Sequence, residues 1–101
     1  MAKVIFSIQY EINSNKKEEY FGVVKELKNL LKAEGLESYA VYEVKGKPNN
    51  FQEIYTFSSG EAFDKFDDDQ DERLNILINK LTDLTTANST KYTTLHEVAE
   101  V

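Results

Sequence analysis

No cysteine occurs in this chain, and histidine and proline occur once each. Without cysteine there is no disulfide framework, no thiolate nucleophile and no cysteine-based metal site, a pattern compatible with a reducing cytoplasm. The four glycines, Gly22, Gly35, Gly46 and Gly60, stand far apart, so none of them builds a phosphate-cradling loop. Basic charge is also scarce: 12 Lys and Arg against 18 Asp and Glu give a net charge of -6. Nucleic acid and anionic membrane are therefore poor partners, because both need a basic face to neutralise phosphate. Long apolar runs are missing too, and no segment approaches transmembrane length. The opening residues enter a strand pattern directly, without the apolar run and small-residue cleavage site of a secretory signal, and the expected location is cytoplasmic.

What is present reads as one small domain. With 101 residues, 41% hydrophobic and 30% charged, the chain can bury roughly 65% of its unfolded surface. From Val4 to Ile12 apolar residues alternate, setting Val4, Phe6, Ile8, Tyr10 and Ile12 on one face. Asn13-Ser14-Asn15 offers turn and N-cap chemistry for a helix from about Lys16 to Glu34, with Tyr20, Val23, Val24, Leu27, Leu30 and Leu31 as its stripe and Gly35 as its stop. Strands are expected at about Glu37 to Lys45 and Phe51 to Phe57, joined by a hairpin loop at Gly46-Lys47-Pro48-Asn49-Asn50. A capping box, Ser58 with Glu61, opens a second helix carrying Ala62, Phe63 and Phe66. The acidic run Asp67-Asp68-Asp69-Gln70-Asp71-Glu72 breaks that stripe, which resumes at Leu74, Leu77, Ile78, Leu81 and Leu84 in a longer helix ending near Thr86. A last strand is expected from about Thr90 to Val101.

The order βαββαβ predicts an α+β, ferredoxin-like antiparallel sheet with both helices on one face, since right-handed crossovers send them to the same side. The opposite face, read as Ser7, Gln9, Glu11, Tyr39, Val41, Glu43, Ile54 and Thr56, is too apolar for open solvent and too polar for a dry core. A second copy of the chain covers it most economically, so the expected assembly is a homodimer in which two sheets close an α/β barrel.

His96 is the single histidine and hence the first candidate for a general base at neutral pH; the bland alternative is a satisfied structural residue on a half-buried strand. Six Tyr and six Phe are many for this length. Most of them read as core, but a cleft edged with phenolic hydroxyls is also how a pocket for a flat organic ligand is built, and Tyr10, Tyr42 and Tyr55 are its candidate lining. Asp67, Asp69 and Asp71 imitate the opening of a calcium loop, yet Glu72 stands where glycine is needed and Ile78 where the bidentate Glu belongs, so no metal site is assigned. No cofactor motif is present. Asn88-Ser89-Thr90 matches a glycosylation acceptor by chance, given the absent signal peptide. An RNA-recognition domain would need basic residues around exposed sheet aromatics, which the acidic balance denies.

The strand Val4 to Ile12, the stretch Phe57-Ser58-Ser59-Gly60-Glu61-Ala62-Phe63-Asp64-Lys65-Phe66, the turn into Asp71-Glu72-Arg73-Leu74 and the strand Tyr92 to Val98 together resemble the dimeric α/β barrel superfamily. Antibiotic-biosynthesis-monooxygenase-like and stress-responsive barrel proteins belong to it. The resemblance spans essentially the whole chain and is a fold signature rather than a catalytic one. It implies a homodimer, a cleft between helices and sheet in each subunit, and cofactor-independent oxidation, haem breakdown or isomerisation of small organic molecules. The chain departs from the monooxygenase and haem-degrading members in having no Trp, no Asn within strand one before Asn13, and no His in helix two. The resulting expectation is a small-molecule-binding protein acting on a flat hydrophobic substrate as a cofactor-independent monooxygenase or isomerase. The alternative is a non-enzymatic homodimeric assembly module.

Overall fold

The computed structural model describes residues 2–68 and 72–98. Four strands, β1 (Val4–Glu11), β2 (Leu36–Glu43), β3 (Asn50–Phe57) and β4 (Lys91–His96), alternate with helices α1 (Lys17–Leu30), α2 (Gly60–Asp68) and α3 (Glu72–Leu84). They pair as one antiparallel sheet in the order β2-β3-β1-β4, as a ferredoxin-like α+β fold requires. The helical layer covers the face that carries Val4, Tyr10, Phe51, Tyr55 and Phe57, all buried.

Alternation explains the central strands. Val4 lies opposite Phe57 and Tyr10 opposite Phe51, so the apolar set of β1 meets the aromatic set of β3 on one face. Two clusters form beneath the helices. One gathers Tyr10, Ile12, Tyr20, Val24, Leu27 and Phe51 with Leu77, Leu81 and Leu84 of α3. The other joins Val4, Tyr55 and Phe57 to Phe63 and Phe66 of α2. Fully burying one such leucine contributes roughly 1.5–3 kcal/mol, which is what secures α3 to the sheet. Ile8, Leu31 and Tyr39 touch both clusters, so the seam between them runs across the middle of β3.

Several boundaries differ from the sequence expectation. α1 stops at Leu30, four residues before Glu34. Gly35 serves the turn beyond: at φ +84 it brings its backbone so near α2 that a Cβ there would stand 2.4 Å from that of Ala62, and its carbonyl accepts the Ser58 N–H at 2.8 Å. The N-cap position of α1 is Lys16, with no side-chain cap, rather than a residue of Asn13-Ser14-Asn15. α2 is capped by Ser59, whose hydroxyl accepts the Ala62 N–H at 3.2 Å, one residue after the expected Ser58. β1 ends at Glu11, and Ile12 instead bridges to Thr85 beyond α3. β4 runs from Lys91 only to His96, short of the expected end at Val101, and the middle of the acidic run, residues 69–71, and residues 99–101 of the expected last strand lie outside the described residues.

The larger correction concerns β2. Its alternation is as expected, but its facing is reversed: Tyr39 pairs with Tyr55 and Val41 with Glu53, so both turn toward the helices, while Tyr42 pairs with Gln52 on the open face. Both faces of this strand are partly apolar, and a period of two does not say which one is buried. The Tyr39 ring decides it in the structure, packing 4.8 Å from that of Tyr55.

Candidate active site

Between the sheet and the helices a cleft of about 260 Å³ remains open. Its floor is the inner face of the sheet: Phe6, Ile8 and Tyr10 from β1, Glu53 and Tyr55 from β3, and Tyr92 from β4. Its roof is apolar, from Leu27 and Leu31 of α1 and its continuation, Phe66 of α2, and Leu74, Ile78 and Leu81 of α3. Asn75, Thr82, Thr85 and Thr90 add polar groups. Tyr92 and Ile78 also face solvent, at 68% and 48% exposure, which places the mouth between β4 and α3. Concave, mostly apolar walls with few polar groups are the usual make-up of a small-molecule site.

The most unusual group in it is Glu53. Its position in Phe51-Gln52-Glu53-Ile54-Tyr55-Thr56-Phe57 points it into the aromatic face, on the seam between the two clusters, and it is 1% exposed. A carboxyl buried there needs hydrogen-bond donors, and the neighbouring strands supply them. The Tyr39 hydroxyl donates to Glu53 Oε1 at 2.6 Å, and the Tyr55 hydroxyl donates to the same oxygen at 3.3 Å. The Tyr10 hydroxyl lies 2.9 Å from that of Tyr20 on α1, extending the polar cluster under the first helix.

Two opposed effects act on Glu53. Burial pushes its carboxyl up from the ordinary carboxylate value, and hydrogen bonds from Tyr39, Tyr10 and Tyr55 pull it back, burial being the larger. The phenols of Tyr10, Tyr39 and Tyr55 are all raised, first by burial and then by the negative charge Glu53 can carry. Tyr20 is raised by burial as well, against the lowering effect of its bond to Tyr10. These tyrosines therefore stay protonated around neutral pH and act as hydroxyl donors. The site combines one proton acceptor of raised affinity with several fixed donors, in a pocket partly screened from water. Among the described residues no group of three or more His, Asp or Glu side chains could hold a metal ion.

Of the residues singled out from sequence, Tyr10 and Tyr55 line the cleft. Tyr42 lies on the opposite sheet face and is 59% exposed. His96 pairs with Val4 and so shares the helix-side face with Tyr92, yet it is four residues further along β4, roughly 13 Å at strand spacing. It is exposed and lies in a surface depression with Lys3, Ile5, Leu95 and Glu97, apart from the cleft lining. Sequence reasoning misses Glu53, Tyr39 and Tyr92 as site residues. For Glu53 a signal is present in the sequence: a carboxylate inside an otherwise aromatic alternation.

No family model matches the sequence, and no curated protein matches it. Solved structures do match in fold. A conserved protein from Methanosarcina mazei Go1 superposes with a TM-score of 0.83 at 16% identity, over 97% of this chain and 95% of that one. A candidate antibiotic biosynthesis monooxygenase from Deinococcus radiodurans gives 0.78 at 17% identity, over 97% and 94%. SnoaB, a cofactor-independent oxygenase from Streptomyces nogalater, gives 0.75 at 14% identity, over 92% and 90%. The chain thus has the fold of the antibiotic-biosynthesis-monooxygenase-like dimeric α/β barrel proteins.

Proposed function

We propose that this barrel fold serves here to bind a flat, hydrophobic organic molecule in the cleft between sheet and helices, and to act on it without a cofactor as a monooxygenase or isomerase. The observation that carries the reading is the cleft itself. Phe6, Tyr10, Tyr55 and Phe66 stand around about 260 Å³ of open space instead of closing it. Tyr10 and Tyr55 are the ligand-facing residues in this reading. His96, exposed and outside the lining, is replaced as candidate base by Glu53. The oxygenase function of one structural neighbour agrees with this reading.

Thermal unfolding with a panel of quinones, polyketide-like aromatics and haem tests it. A ligand at a hundred times its Kd stabilises the folded state by about 2.7 kcal/mol, a shift on the order of 10 °C for a domain of this size. The substitution Ile78→Trp, at the half-exposed mouth, should abolish the shift while leaving the unliganded protein folded. A panel without any shift, or a shift that Ile78→Trp does not alter, would remove the cleft as the ligand site.

A homodimer belongs to the same proposal. The sheet face away from the helices carries Ile5 and Ile54, both partly exposed, with Tyr42 and Leu95 at 59% and 52% exposure. A second copy packing sheet to sheet would cover them. A solution mass of twice the chain, persisting on dilution, is the expected result, and a stable monomer would refute it. A dimer together with an unresponsive ligand panel would favour the assembly-module reading instead.

A further inference from the structure

We propose that Glu53 is the base of the cleft, removing a proton from the carbon beside the carbonyl of a flat, enolisable ketone and returning it, so that the site interconverts keto and enol forms. The inference rests on the reading of the cleft as a ligand site.

Position carries it first. Glu53 forms part of the cleft floor, between Tyr10 on β1 and Tyr55 on the same strand. An inward-facing residue there that served packing alone would be better apolar, because a buried carboxyl costs free energy unless it is fully hydrogen-bonded. The chain places an acid at this point and sets phenols from three strands against it, Tyr10, Tyr39 and Tyr55, with Tyr20 of α1 behind Tyr10. The α3 residues that share the cleft with it are Leu74, Asn75, Ile78, Leu81 and Thr82, none of them charged. No opposite charge there holds Glu53 as a spectator ion.

The donor geometry suits proton transfer. Tyr39 makes the short bond, 2.6 Å, and fixes Oε1, while Tyr55 makes a longer bond of 3.3 Å to the same oxygen and also faces the cleft. When Glu53 takes the proton, the C–H bond breaks and an O–H bond forms. The electron pair of the C–H bond becomes the new carbon–carbon π bond, and the carbonyl π pair moves to the substrate oxygen. The negative charge thus leaves the carboxylate for the enolate. Tyr55, more weakly held than Tyr39, is the hydroxyl that turns to the enolate oxygen. Protonated Glu53 then returns the proton to carbon or to oxygen, and no oxidant or reductant is consumed.

The test uses 2-tetralone in deuterated buffer, following deuterium uptake beside its carbonyl by proton NMR, with 2-methylnaphthalene as a ligand of similar shape that has no such proton. Wild type should exchange at least a hundredfold faster than Glu53→Gln, within the usual range for a positioned base, while both proteins bind 2-methylnaphthalene equally. Glu53→Asp should recover part of the rate. Tyr39→Phe should move the pH–rate profile upward, since it removes a hydrogen bond that favours the carboxylate. Binding of 2-methylnaphthalene without exchange above buffer in wild type, or equal exchange in wild type and Glu53→Gln, overturns the role of Glu53 and leaves the cleft reading standing. Binding of neither compound overturns both. Should Glu53→Gln fail to fold, a wild-type profile that Tyr39→Phe leaves unmoved refutes the proposal.

Discussion

Replacing Glu53 by glutamine should flatten one component of the pH dependence of stability. Burial outweighs the tyrosine hydrogen bonds and raises the carboxyl from its ordinary value of 4.5, so the folded protein holds the Glu53 proton more tightly than the unfolded chain does. A raised folded-state pKa contributes stability that is fully present below the unfolded value and is lost as pH rises through the folded value. Between those two points wild type should lose about 1.4 kcal/mol per pH unit from this group alone, reaching a plateau once Glu53 is ionised in both states. The amide of the Glu53→Gln variant stays neutral throughout, so that protein lacks the loss. Every other titrating group is common to both proteins and cancels in the difference. Urea unfolding at fixed protein concentration, from about pH 4 to about pH 8 to bracket the carboxylate range, reads it directly by linear extrapolation. The amide adds a constant offset, because Tyr39 can still donate to its oxygen, but no slope. Stability of wild type that falls relative to the variant with rising pH is the expected result. A flat difference, or one of opposite slope, would mean that the hydrogen bonds prevail over burial and that Glu53 is an ordinary, stabilised carboxylate.

Three further outcomes follow from packing. Gly35→Ala should destabilise the protein by about 1–3 kcal/mol in denaturant titration, because φ +84 disfavours a side chain and the new Cβ would collide with Ala62; an effect under about 0.5 kcal/mol would show that α2 yields freely. Leu77→Ala, at a fully buried position joining α3 to the larger cluster, should cost about 2–5 kcal/mol, and a smaller loss would mean that the site collapses onto the cavity. His96→Ala should change stability by no more than about 0.5 kcal/mol and leave ligand-induced thermal shifts intact; loss of those shifts would return His96 to the site.

Element order and class were legible because they rest on local periodicity. The alternation from Val4 to Ile12 and the stripe Leu74, Leu77, Ile78, Leu81, Leu84 each have one strong period, and the structure holds the first as a strand to Glu11 and the second as a helix, with Ile78 of the stripe half exposed. Helix ends were less legible. The local chemistry of Asn13-Ser14-Asn15 and Ser58 suits caps, yet the chain begins its helices at Lys17 and Gly60, where the geometry of the preceding strands delivers it.

Sequence by itself determined which side-chain chemistry this chain lacks: no thiolate, no cysteine-held metal, and only one histidine. It also determined a sheet with a two-helix plan on one side, because periodicity and connection length are properties of the chain alone. Tertiary structure decided which residues meet. Alternation divides a strand into two sets but leaves their facing open, so Tyr39 turned to the helix side, where it bonds Glu53, and Tyr42 to the open face, on the outcome of packing against Tyr55. His96 lies on the helix-side face but too far along β4, a distance set by register with Val4 and not by anything local. Glu53 became the centre of a buried hydrogen-bonded cluster only when Tyr10, Tyr39 and Tyr55, far apart in the chain, were brought around it by three paired strands. A buried acid and its donors are a property of long-range pairing, since no single segment contains both the charge and all the hydroxyls that make its burial tolerable.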